Sequence, residues 1–456
     1  MDVLFVNPRD LSIPAPYVRS ACLAAMLQKE QVACRIIEPR AEGVSIPRLI
    51  AMVQEHACKL VCISVFPSTL PHAYQTIQAL KKHFPQLPVV VEGYMINADT
   101  RAVRELSADY GLHGDGENGI VALYKYLCGE QIDLSTVDGL IYFKENELEV
   151  NKSGFVRNLN DLPCPAYELL PIGKYYSAST NKRYMIMFTD RGCPYNCSFC
   201  ANLSQKRYRC LSTENVIKQL QRLVVELNVE WVEFMDLTFT INRRRTIEIC
   251  QGIIDAGLKF DWACETRADL IDEELLGYMK RAGCNKITIG VESGNEKLRY
   301  LTGKEISNQE FIRIFKLCEA NGIKTMANFI FGHPGDTAKT ISETTRFAIK
   351  LNPFNVLFTK MTPLPDVDIY FNGVKNKEVD QDVWYQYMRG EQAFPVYYPK
   401  SIAKWKMEFL YRLAFVLFYV RPASIGKYAA LFNDPVFAYR SVKVFMRFVF
   451  GKTLYK

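Results

Sequence analysis

Three cysteines near the middle of the chain carry its clearest chemical signal. Cys193, Cys197 and Cys200 follow the spacing C-x3-C-x2-C. Three thiolates at this spacing can ligate three irons of a 4Fe–4S cubane, and the fourth iron then lacks a protein ligand. A metal needs an open coordination position in order to bind a substrate directly, as catalytic zinc sites do. The spacing therefore predicts a cluster that takes part in chemistry.

A structural zinc site is the alternative interpretation of these cysteines. Structural zinc usually takes four ligands, which come from paired C-x2-C or histidine spacings. The nearest candidates for a fourth ligand are Cys164 and Cys210, and neither has a partner at such a spacing. The pattern therefore favours the iron–sulfur interpretation.

The cysteine loop lies at the start of a regular alternation of strands and helices. Ser212 predicts the N-cap of the first helix. Strands with five intervening helices are predicted over residues 185–189, 231–235, 261–265, 286–291, 324–331 and 356–360. Such a series predicts a partial parallel (β/α)6 barrel, and catalytic groups of such barrels lie at the C-terminal strand ends. At or just beyond those ends lie the cysteines and Asp236, Arg267, Glu292 and Gly332.

The first 135 residues also alternate between strand and helix. Strands are predicted over residues 3–7, 33–37, 60–64, 89–91 and 110–112. The pattern predicts a doubly wound parallel sheet with helices on both faces, and ligands of such sheets bind at the carboxyl edge of the strands. No G-x-G-x-x-G motif follows the first strand, so the dinucleotide fingerprint is missing. The edge is therefore predicted to take a nucleotide-like or corrin-like ligand.

Two further segments complete the predicted order of domains. Residues 136–180 are predicted to connect an N-terminal domain at 1–135 to a barrel at 181–365, and they include a hairpin at 140–151. Residues 366–456 are predicted to form a helical C-terminal domain, with aromatic and basic helices at 405–419 and 435–450. These helices would cap the barrel or press against a membrane surface. A plain packing role is the alternative.

The composition limits which cellular compartment and which kinds of partner are expected. The chain has 14 cysteines, no basic leader segment and no uninterrupted apolar run of the roughly 18 residues that a membrane span needs. We therefore predict a cytoplasmic protein with free thiols. The net charge of +7 is mild and diffuse. It argues against a nucleic-acid partner and suits anionic cofactors or a membrane surface.

The sequence around the cysteines resembles the radical S-adenosylmethionine (SAM) superfamily, whose signature is C-x3-C-x2-C after the first barrel strand. The resemblance continues through residues 234–240 (FMDLTFT), 265–270 (ETRADL), 290–294 (GVESG) and 329–336 (FIFGHPGD). In its order of domains the chain resembles the cobalamin-binding subclass, in which a Rossmann-like domain presents cobalamin over the barrel. The implied fold is α/β: an N-terminal Rossmann-like, doubly wound parallel sheet of the cobalamin-binding type, a partial (β/α)6 radical SAM barrel and a helical C-terminal region.

The resemblance implies two groups of SAM contacts. Phe199 would pack on the adenine, the backbone at Ile330 and Gly332 would hold the adenine edge, and Ser293 is a further implied contact. The other group would bind the amino acid part of SAM and the ribose.

In that group, Asp236 would contact the methionine amino group, and Arg267 and Glu292 would bind the carboxylate or the ribose. A zwitterion needs both a cation and an anion near it, which agrees with these residue types. The alternatives are a structural ion pair between Arg267 and Glu292 and a solvated turn at Asp236.

The resemblance also implies cobalamin contacts along the carboxyl edge of the N-terminal sheet, at Asn7, Ser64, Thr69, Gly93, Tyr94, Gly114 and Gly116. Residues 114–117 (GDGE) are similar to a Gly-Glu-Gly-Glu element of the subclass. Residues 92–97 (EGYMIN) stand where the subclass typically has Gly-Gly-Pro-His, and the chain has no D-x-H-x-x-G motif to supply a histidine ligand to cobalt.

The implied activity is cobalamin-dependent methyl transfer to an unactivated carbon, started by a 5′-deoxyadenosyl radical. Radical cyclisation, ring contraction or carbon–carbon coupling of an apolar substrate is the alternative on the same fold. A non-catalytic cobalamin or iron–sulfur sensor is a third hypothesis, and it would not require Asp236, Arg267 and Glu292 at successive strand ends. The implied partners are a small-molecule substrate of hydrophobic character and an electron donor such as flavodoxin or ferredoxin.

Overall fold

The computed structural model of the chain describes residues 1–8, 16–177, 180–201 and 207–428. They form two mainly parallel sheets with helices packed on them, followed by a helical C-terminal region. The predicted fold class is confirmed. The predicted helix at 435–450 lies outside the described residues.

The first sheet has the strand order β2-β1-β3-β4-β5-β6-β7. Strands β1 to β5 run parallel, whereas β6 and β7 are antiparallel additions at one edge. Every residue of β1, β3 and β4 is buried, because their runs of Val, Ile, Leu and Cys lie between two helix layers. The strand bounds are β1 (Val3–Val6), β2 (Cys34–Ile37), β3 (Leu60–Ser64), β4 (Val89–Glu92), β5 (Tyr110–Leu112), β6 (Leu140–Lys144) and β7 (Glu147–Val150).

The hairpin predicted inside the connector is therefore part of the first sheet. Its strand β6 pairs with β5 through Gly111 and Ile141, and Ile141 is fully buried. This pairing covers what would otherwise be the exposed edge of β5. The domain boundaries at residues 135, 180 and 365 remain predictions.

The second sheet is wholly parallel and has the order β15-β14-β13-β12-β11-β8, as predicted for a six-stranded partial barrel. A short antiparallel ribbon, β9 with β10, stands apart from it at the cysteine loop. The strand bounds are β8 (Tyr184–Met187), β9 (Asp190–Arg191), β10 (Arg209–Cys210), β11 (Trp231–Phe234), β12 (Asp261–Thr266), β13 (Cys284–Glu292), β14 (Lys324–Phe331) and β15 (Asn355–Lys360).

Seven helices accompany the first sheet, and ten accompany and follow the second among the described residues. The former are α1 (Val18–Lys29), α2 (Pro39–Glu42), α3 (Ile46–His56), α4 (Leu70–His83), α5 (Tyr94–Ala98), α6 (Ala102–Glu105) and α7 (Glu117–Leu127). The latter are α8 (Thr213–Gln221), α9 (Arg243–Asp255), α10 (Glu273–Arg281), α11 (Glu296–Leu301), α12 (Asn308–Ala320), α13 (Ala338–Leu351), α14 (Asp368–Lys375), α15 (Val383–Met388), α16 (Lys404–Tyr419) and α17 (Pro422–Tyr428).

Side-chain caps begin the helices of the second sheet. Ser212 caps α8 as predicted, because its hydroxyl accepts from the N–H of Asn215 at 3.2 Å. α8 continues directly into a π-helical turn at Arg222–Glu226. None of the helices in the described part of the chain is both long and apolar enough to cross a membrane.

Two buried apolar clusters lie on opposite faces of the first sheet. One includes α1 and α7 and continues through Tyr167 and Tyr175 into the core of the second sheet. The other lies under α3 and α4 and takes in C-terminal residues between 361 and 397, among them Trp384. α15 packs on α4, whereas α16 packs on α13 and β15. The C-terminal region therefore contacts both sheets.

Candidate active site

The three cysteines lie on one loop whose base is the ribbon of β9 and β10. Arg191 lies opposite Arg209 in this ribbon, and the loop between them carries all three thiols. Cys193 is buried, Cys197 is half-buried and Cys200 is exposed. Two residues separate β8 from this ribbon, so the loop lies at the C-terminal end of the second sheet, where it was predicted.

The thiols differ from a closed structural metal site. Among residues with a described placement, no three His, Cys, Asp or Glu side chains converge closely enough to hold one metal ion. Burial raises the pKa of Cys197 above the ordinary thiol value. This shift makes loss of the thiol proton, which iron binding requires, less favourable.

Asp236 follows β11 and is 1% exposed, so it is not a solvated turn residue. Its Oδ1 accepts from the N–H groups of Thr189 at 2.6 Å and Asp190 at 2.9 Å, and its Oδ2 accepts from the Thr189 hydroxyl at 2.6 Å. Burial raises the pKa of Asp236, and these donors oppose that rise. The carboxylate thus fixes the chain between β8 and the cysteine loop. Its predicted contact with the methionine amino group remains a prediction.

Arg267 and Glu292 do not form the ion pair considered above. Arg267 binds Asp269 through Nε at 3.0 Å and Nη2 at 2.8 Å, and its guanidinium lies 3.8 Å from the ring centroid of Tyr195 in the cysteine loop. Its Nη1 is buried without a hydrogen-bond partner. A buried donor of this kind is costly unless a ligand satisfies it.

Glu292 pairs with Lys304 instead, at 2.7 Å, and both side chains are 7% exposed. The residue has φ of +66° at an irregularity in the pairing of β13 with β14. Gly290 leaves the space for this pair, because a Cβ there would collide with Glu292 and lie 2.7 Å from Lys304 Nζ. The bulge and the glycine together turn Glu292 toward Lys304.

An aromatic pair lies between the loop and β14. Phe199 meets the ring of His333 edge-on, with centroids 5.8 Å apart. His333 is 1% exposed, neither ring nitrogen has a hydrogen-bond partner, and burial lowers its pKa to about 4. The N–H of Gly332 donates to Asp336 Oδ2 at 2.9 Å and the carbonyl of Phe331 accepts from the N–H of Met361 at 2.8 Å, so the chain itself uses part of the backbone that is predicted to hold the adenine edge.

The Ser293 hydroxyl makes its hydrogen-bond contacts within the protein. The residue is 1% exposed, and its hydroxyl accepts from the N–H of Asn295 at 3.1 Å and lies 3.3 Å from Thr344 Oγ1. Its contact with SAM remains a prediction, as do those of the other predicted SAM residues.

Sequence reasoning did not single out Tyr195, Lys304 or His333. Lys304 follows Glu292 by 12 residues and Tyr195 lies inside the cysteine loop, so no periodic pattern pointed to either. The position of His333 in the FGHPGD segment was the one available signal.

At the carboxyl edge of the first sheet, two predicted cobalamin contacts belong to a buried polar network. Asn7 Nδ2 donates to Glu38 Oε1 at 3.1 Å, and Asn7 Oδ1 accepts from Ser20 at 2.6 Å and Ser64 at 3.0 Å. The same Ser64 hydroxyl also lies within hydrogen-bond distance of Glu92, so its one proton is shared between these two acceptors. The side chains of Asn7 and Ser64 are therefore satisfied within the protein.

Thr69 and Gly93 shape the same edge. Thr69 is fully buried, and its hydroxyl accepts from the N–H of Phe66 at 3.0 Å just before α4. Gly93 has φ of +108°, and a Cβ there would lie 2.8 Å from the carbonyl oxygen of Val65. Only glycine allows the ends of β3 and β4 to approach this closely.

Gly114 and Gly116 flank the turn between β5 and α7. Gly114 has φ of +100°, and a Cβ there would collide with the carbonyl of Gly154 in the connector. Gly116 precedes α7 with φ of +84°. At Gly93 and Gly114, backbone atoms of Val65 and Gly154 fill the space that a Cβ would take, so these glycines allow close packing at this edge. Their contacts with cobalamin remain predictions.

The two carboxyl edges face each other. The Tyr94 hydroxyl donates to Asp366, and burial, Asp366 and the nearby Cys200 raise the pKa of Tyr94. Arg191 Nη2 donates to Glu117 Oε1 at 2.6 Å across the same boundary. The cysteines on a single loop, with the unpaired Arg267 Nη1 beside them, fit a cluster with SAM bound to it.

Family models match both halves of this arrangement. Residues 187–348 match the radical SAM superfamily, and residues 17–124 match the B12-binding domain. The chain is therefore a radical SAM enzyme of the subclass that carries a B12-binding domain. These domains imply SAM, a 4Fe–4S cluster and cobalamin as its cofactors.

Three known proteins illustrate the similarity. The chain is 29% identical over 441 residues to a protein of Pyrococcus horikoshii named an uncharacterized methyltransferase, covering 94% of each chain. It is 32% identical over 213 residues to the anaerobic magnesium-protoporphyrin IX monomethyl ester cyclase of Rubrivivax gelatinosus, covering 46% of this chain and 38% of the cyclase. The structure of the radical SAM methyltransferase TsrM from Kitasatospora setae, with cobalamin and a 4Fe–4S cluster bound, superposes with a TM-score of 0.73 at 16% identity and covers 91% of this chain and 95% of TsrM. At that identity the likeness shows the fold alone.

Proposed function

We propose that the protein is a cobalamin-dependent radical SAM methyltransferase that acts on an unactivated carbon of a small molecule. The observation that carries this proposal is the packing of the cysteine loop against the carboxyl edge of the B12-binding domain, through Arg191 and Glu117. Two cofactors that act on one substrate need binding edges that face each other. When bound, the cluster supplies the electron that cleaves SAM to a 5′-deoxyadenosyl radical, and cobalamin carries the methyl group.

The chain's own residues would bind and orient SAM. A carboxylate or ribose oxygen would satisfy the buried Nη1 of Arg267. Glu292, with one oxygen held by Lys304, would accept from the amino group or a ribose hydroxyl. The half-buried Phe199 and the buried, neutral His333 would form an aromatic wall beside the adenine, and this wall would keep water away from a radical.

The substrate class and the partners follow from the surface of α16. Its exposed side chains include Trp405, Phe409 and Leu417, and the basic Lys404 and Lys406 flank Trp405 in the sequence. Such a surface favours a hydrophobic substrate or contact of a cytoplasmic protein with a membrane surface. A one-electron donor such as flavodoxin or ferredoxin would reduce the cluster.

Radical ring formation without methyl transfer is the second candidate function. The similarity to the cyclase named above favours it, although the chain spans only about two fifths of that protein. Both candidates require cleavage of SAM to 5′-deoxyadenosine, and they differ in whether methyl groups leave SAM.

The test uses anaerobically purified protein, reconstituted with iron and sulfide and supplied with hydroxocobalamin. After desalting, the absorption spectrum reports retained corrin, and chromatography after reduction reports 5′-deoxyadenosine and S-adenosylhomocysteine. Retained corrin with both products is the expected result. A protein that holds the cluster but no corrin, and that yields 5′-deoxyadenosine alone, would favour radical ring formation over methyl transfer. A protein that yields neither product would contradict both proposals and favour a sensor.

A further inference from the structure

Six buried or half-buried charges join the first sheet to the base of the cysteine loop. We call them the interdomain charge network: they are Arg19, Glu92, Asp115, Glu117, Arg191 and Arg209. Three are cations and three are carboxylates, so the network is balanced. None of its side chains is more than 26% exposed.

The network is centred on the turn at residues 114–117. Asp115 accepts from Arg209 Nη1, lies 3.3 Å from Arg191 Nη1 and also accepts from the N–H of Val156 at 2.8 Å. Glu117 accepts from Arg191 Nη2 at 2.6 Å. Burial opposes ionisation of Asp115, but Arg191 and Arg209 outweigh it, so its pKa lies below the ordinary value.

The two arginines lie on opposite strands of the ribbon that closes the cysteine loop. Arg191 on β9 is directly opposite Arg209 on β10. One carboxylate, that of Asp115, therefore holds both ends of the loop. Arg209 is held further by the carbonyl of Val156 at 2.6 Å, while its guanidinium lies 5.3 Å from the ring of Phe155.

The same turn also belongs to the predicted cobalamin edge. Arg19 connects them, since its Nη2 donates to the carbonyl of Gly114 at 2.9 Å and its Nε donates to Glu92 at the end of β4. The glycines of the turn lie at the edge while its carboxylates reach the loop. Buried charge networks set the register of packed elements in some proteins, and this one has the geometry to set the register of the cysteine loop.

We propose that Asp115 and Glu117 are positioning residues for the cysteine loop: the first domain, and not the barrel alone, sets the geometry of the three thiols. The proposal rests on the loop being the cluster loop of the proposed function. Its consequence is that neutral side chains at these two positions loosen the loop while both sheets remain folded.

The variants are Asp115→Asn, Glu117→Gln and the pair together, which keep the size of the side chains and remove their charge. The matched control is Glu30→Gln, which removes the partner of Lys125 on the surface of α7. If the double variant fails to fold, Arg191→Lys provides a second route, because it keeps the charge and loses the two-pronged contact.

The first readout is thiol alkylation of the iron-free full chain, resolved by peptide mass spectrometry. We expect the buried Cys193 and the half-buried Cys197 to react at least threefold faster in the double variant, with an unchanged rate at the exposed Cys128. The second readout is the electron paramagnetic resonance spectrum of the reduced, reconstituted protein with and without SAM. We expect broadened signals and a weaker response to SAM in the double variant, and neither in Glu30→Gln.

Unchanged alkylation rates in a folded variant would overturn the proposal. This outcome is distinct from failure of the proposed function, because alkylation is measured without iron, cobalamin or SAM. If the wild type assembles no cluster, the proposed function fails. The alkylation rates would still show whether Asp115 and Glu117 position the loop.

Discussion

At the scale of single residues, the cysteine loop is held by contacts that its own pattern does not reveal. Arg267 stacks on Tyr195, and the N–H of Ser198 donates to the carbonyl of Thr302 at 3.1 Å. Gly303 lies so close that a Cβ would approach the carbonyl of Asn196 to 2.7 Å. The spacing of the cysteines could be recognised from the sequence because all three ligands are local. The contacts that hold the loop could not be recognised from the sequence, because each partner residue lies tens of residues away along the chain.

Replacing one cysteine tests the central assignment. Cys197→Ala should abolish iron binding and 5′-deoxyadenosine formation while leaving the first sheet folded, because three thiolates are needed for the cubane. Iron content and product chromatography measure the loss, and circular dichroism reports folding. Cys128→Ala, at an exposed cysteine, is the control and should keep both. Product formation by Cys197→Ala would defeat the assignment.

The buried His333 predicts a pH dependence of stability. Burial lowers its folded pKa to about 4, whereas an unfolded histidine has a pKa of about 6.5. Between these values the unfolded chain binds a proton that the folded chain does not, so the free energy of unfolding falls as the pH falls. From pH 7 to pH 5 this contribution amounts to about 2 kcal/mol.

Urea unfolding of His333→Phe at both pH values checks this contribution. We expect the variant to lose about 2 kcal/mol less than the wild type between pH 7 and pH 5. His83→Gln, at an exposed histidine, should behave like the wild type. Equal losses in His333→Phe and the wild type would show that His333 titrates normally in the folded protein.

At the scale of elements, the candidate site residues lie at the ends of strands, and the hydrophobic pattern of the sequence was enough to locate those strands. β3 and β14 have the predicted bounds, because buried apolar runs are local signals. Pairing is not a local signal. The sequence therefore did not predict that β6 joins the first sheet, or that the chain between β8 and the loop is fixed by Asp236 from β11.

Two variants of Asp236 separate its possible roles. Asp236→Ala leaves two N–H groups and a hydroxyl without an acceptor, so we expect a loss of about 2–4 kcal/mol in the free energy of unfolding and a lower iron content. Asp236→Asn should stay close to the wild type in both, because its amide oxygen can still accept from Thr189 and Asp190. If Asn instead raises the KM for SAM with normal iron content, Asp236 binds the methionine amino group as the resemblance implies.

The bulge in β13 offers a steric test. Gly290→Ala places a methyl group against Glu292 and Lys304, so the ion pair must separate. Overpacking of this kind costs about 1–3 kcal/mol, and the KM for SAM should rise because Glu292 is displaced. Gly173→Ala, where nothing lies within 4 Å of the added Cβ, is the matched control for both measurements. An unchanged KM in a stable Gly290→Ala variant would remove Glu292 from the SAM site.

At the scale of the whole molecule, the C-terminal region stabilises the first sheet as well as the second. Trp384 is 2% exposed and lies in the same apolar cluster as Ile77 and Leu80 of α4. The sequence predicted helices here, but their packing on the first sheet depends on contacts between residues some 300 positions apart in the chain. Such contacts leave no trace in composition or period.

Trp384→Ala should therefore destabilise the first sheet. Truncation of a buried tryptophan costs about 3–5 kcal/mol, and we expect faster hydrogen exchange in α4 and β4, measured by mass spectrometry. Trp405→Ala, at a tryptophan that is 72% exposed, should leave exchange in α4 unchanged. Unaltered protection of α4 in Trp384→Ala would mean that the first sheet is stable without the C-terminal region.

The return of residues 361–397 to the first sheet has a consequence for synthesis on the ribosome. Domains generally fold in the order in which they emerge, but one face of the first sheet lacks its full cover until α15 has left the exit tunnel. The barrel is thus translated while the domain before it is still incomplete. Because α16, which packs on α13 and β15, emerges after α15, neither sheet has its full cover until the C-terminal region has been translated, and we expect the facing edges to pack together late in synthesis.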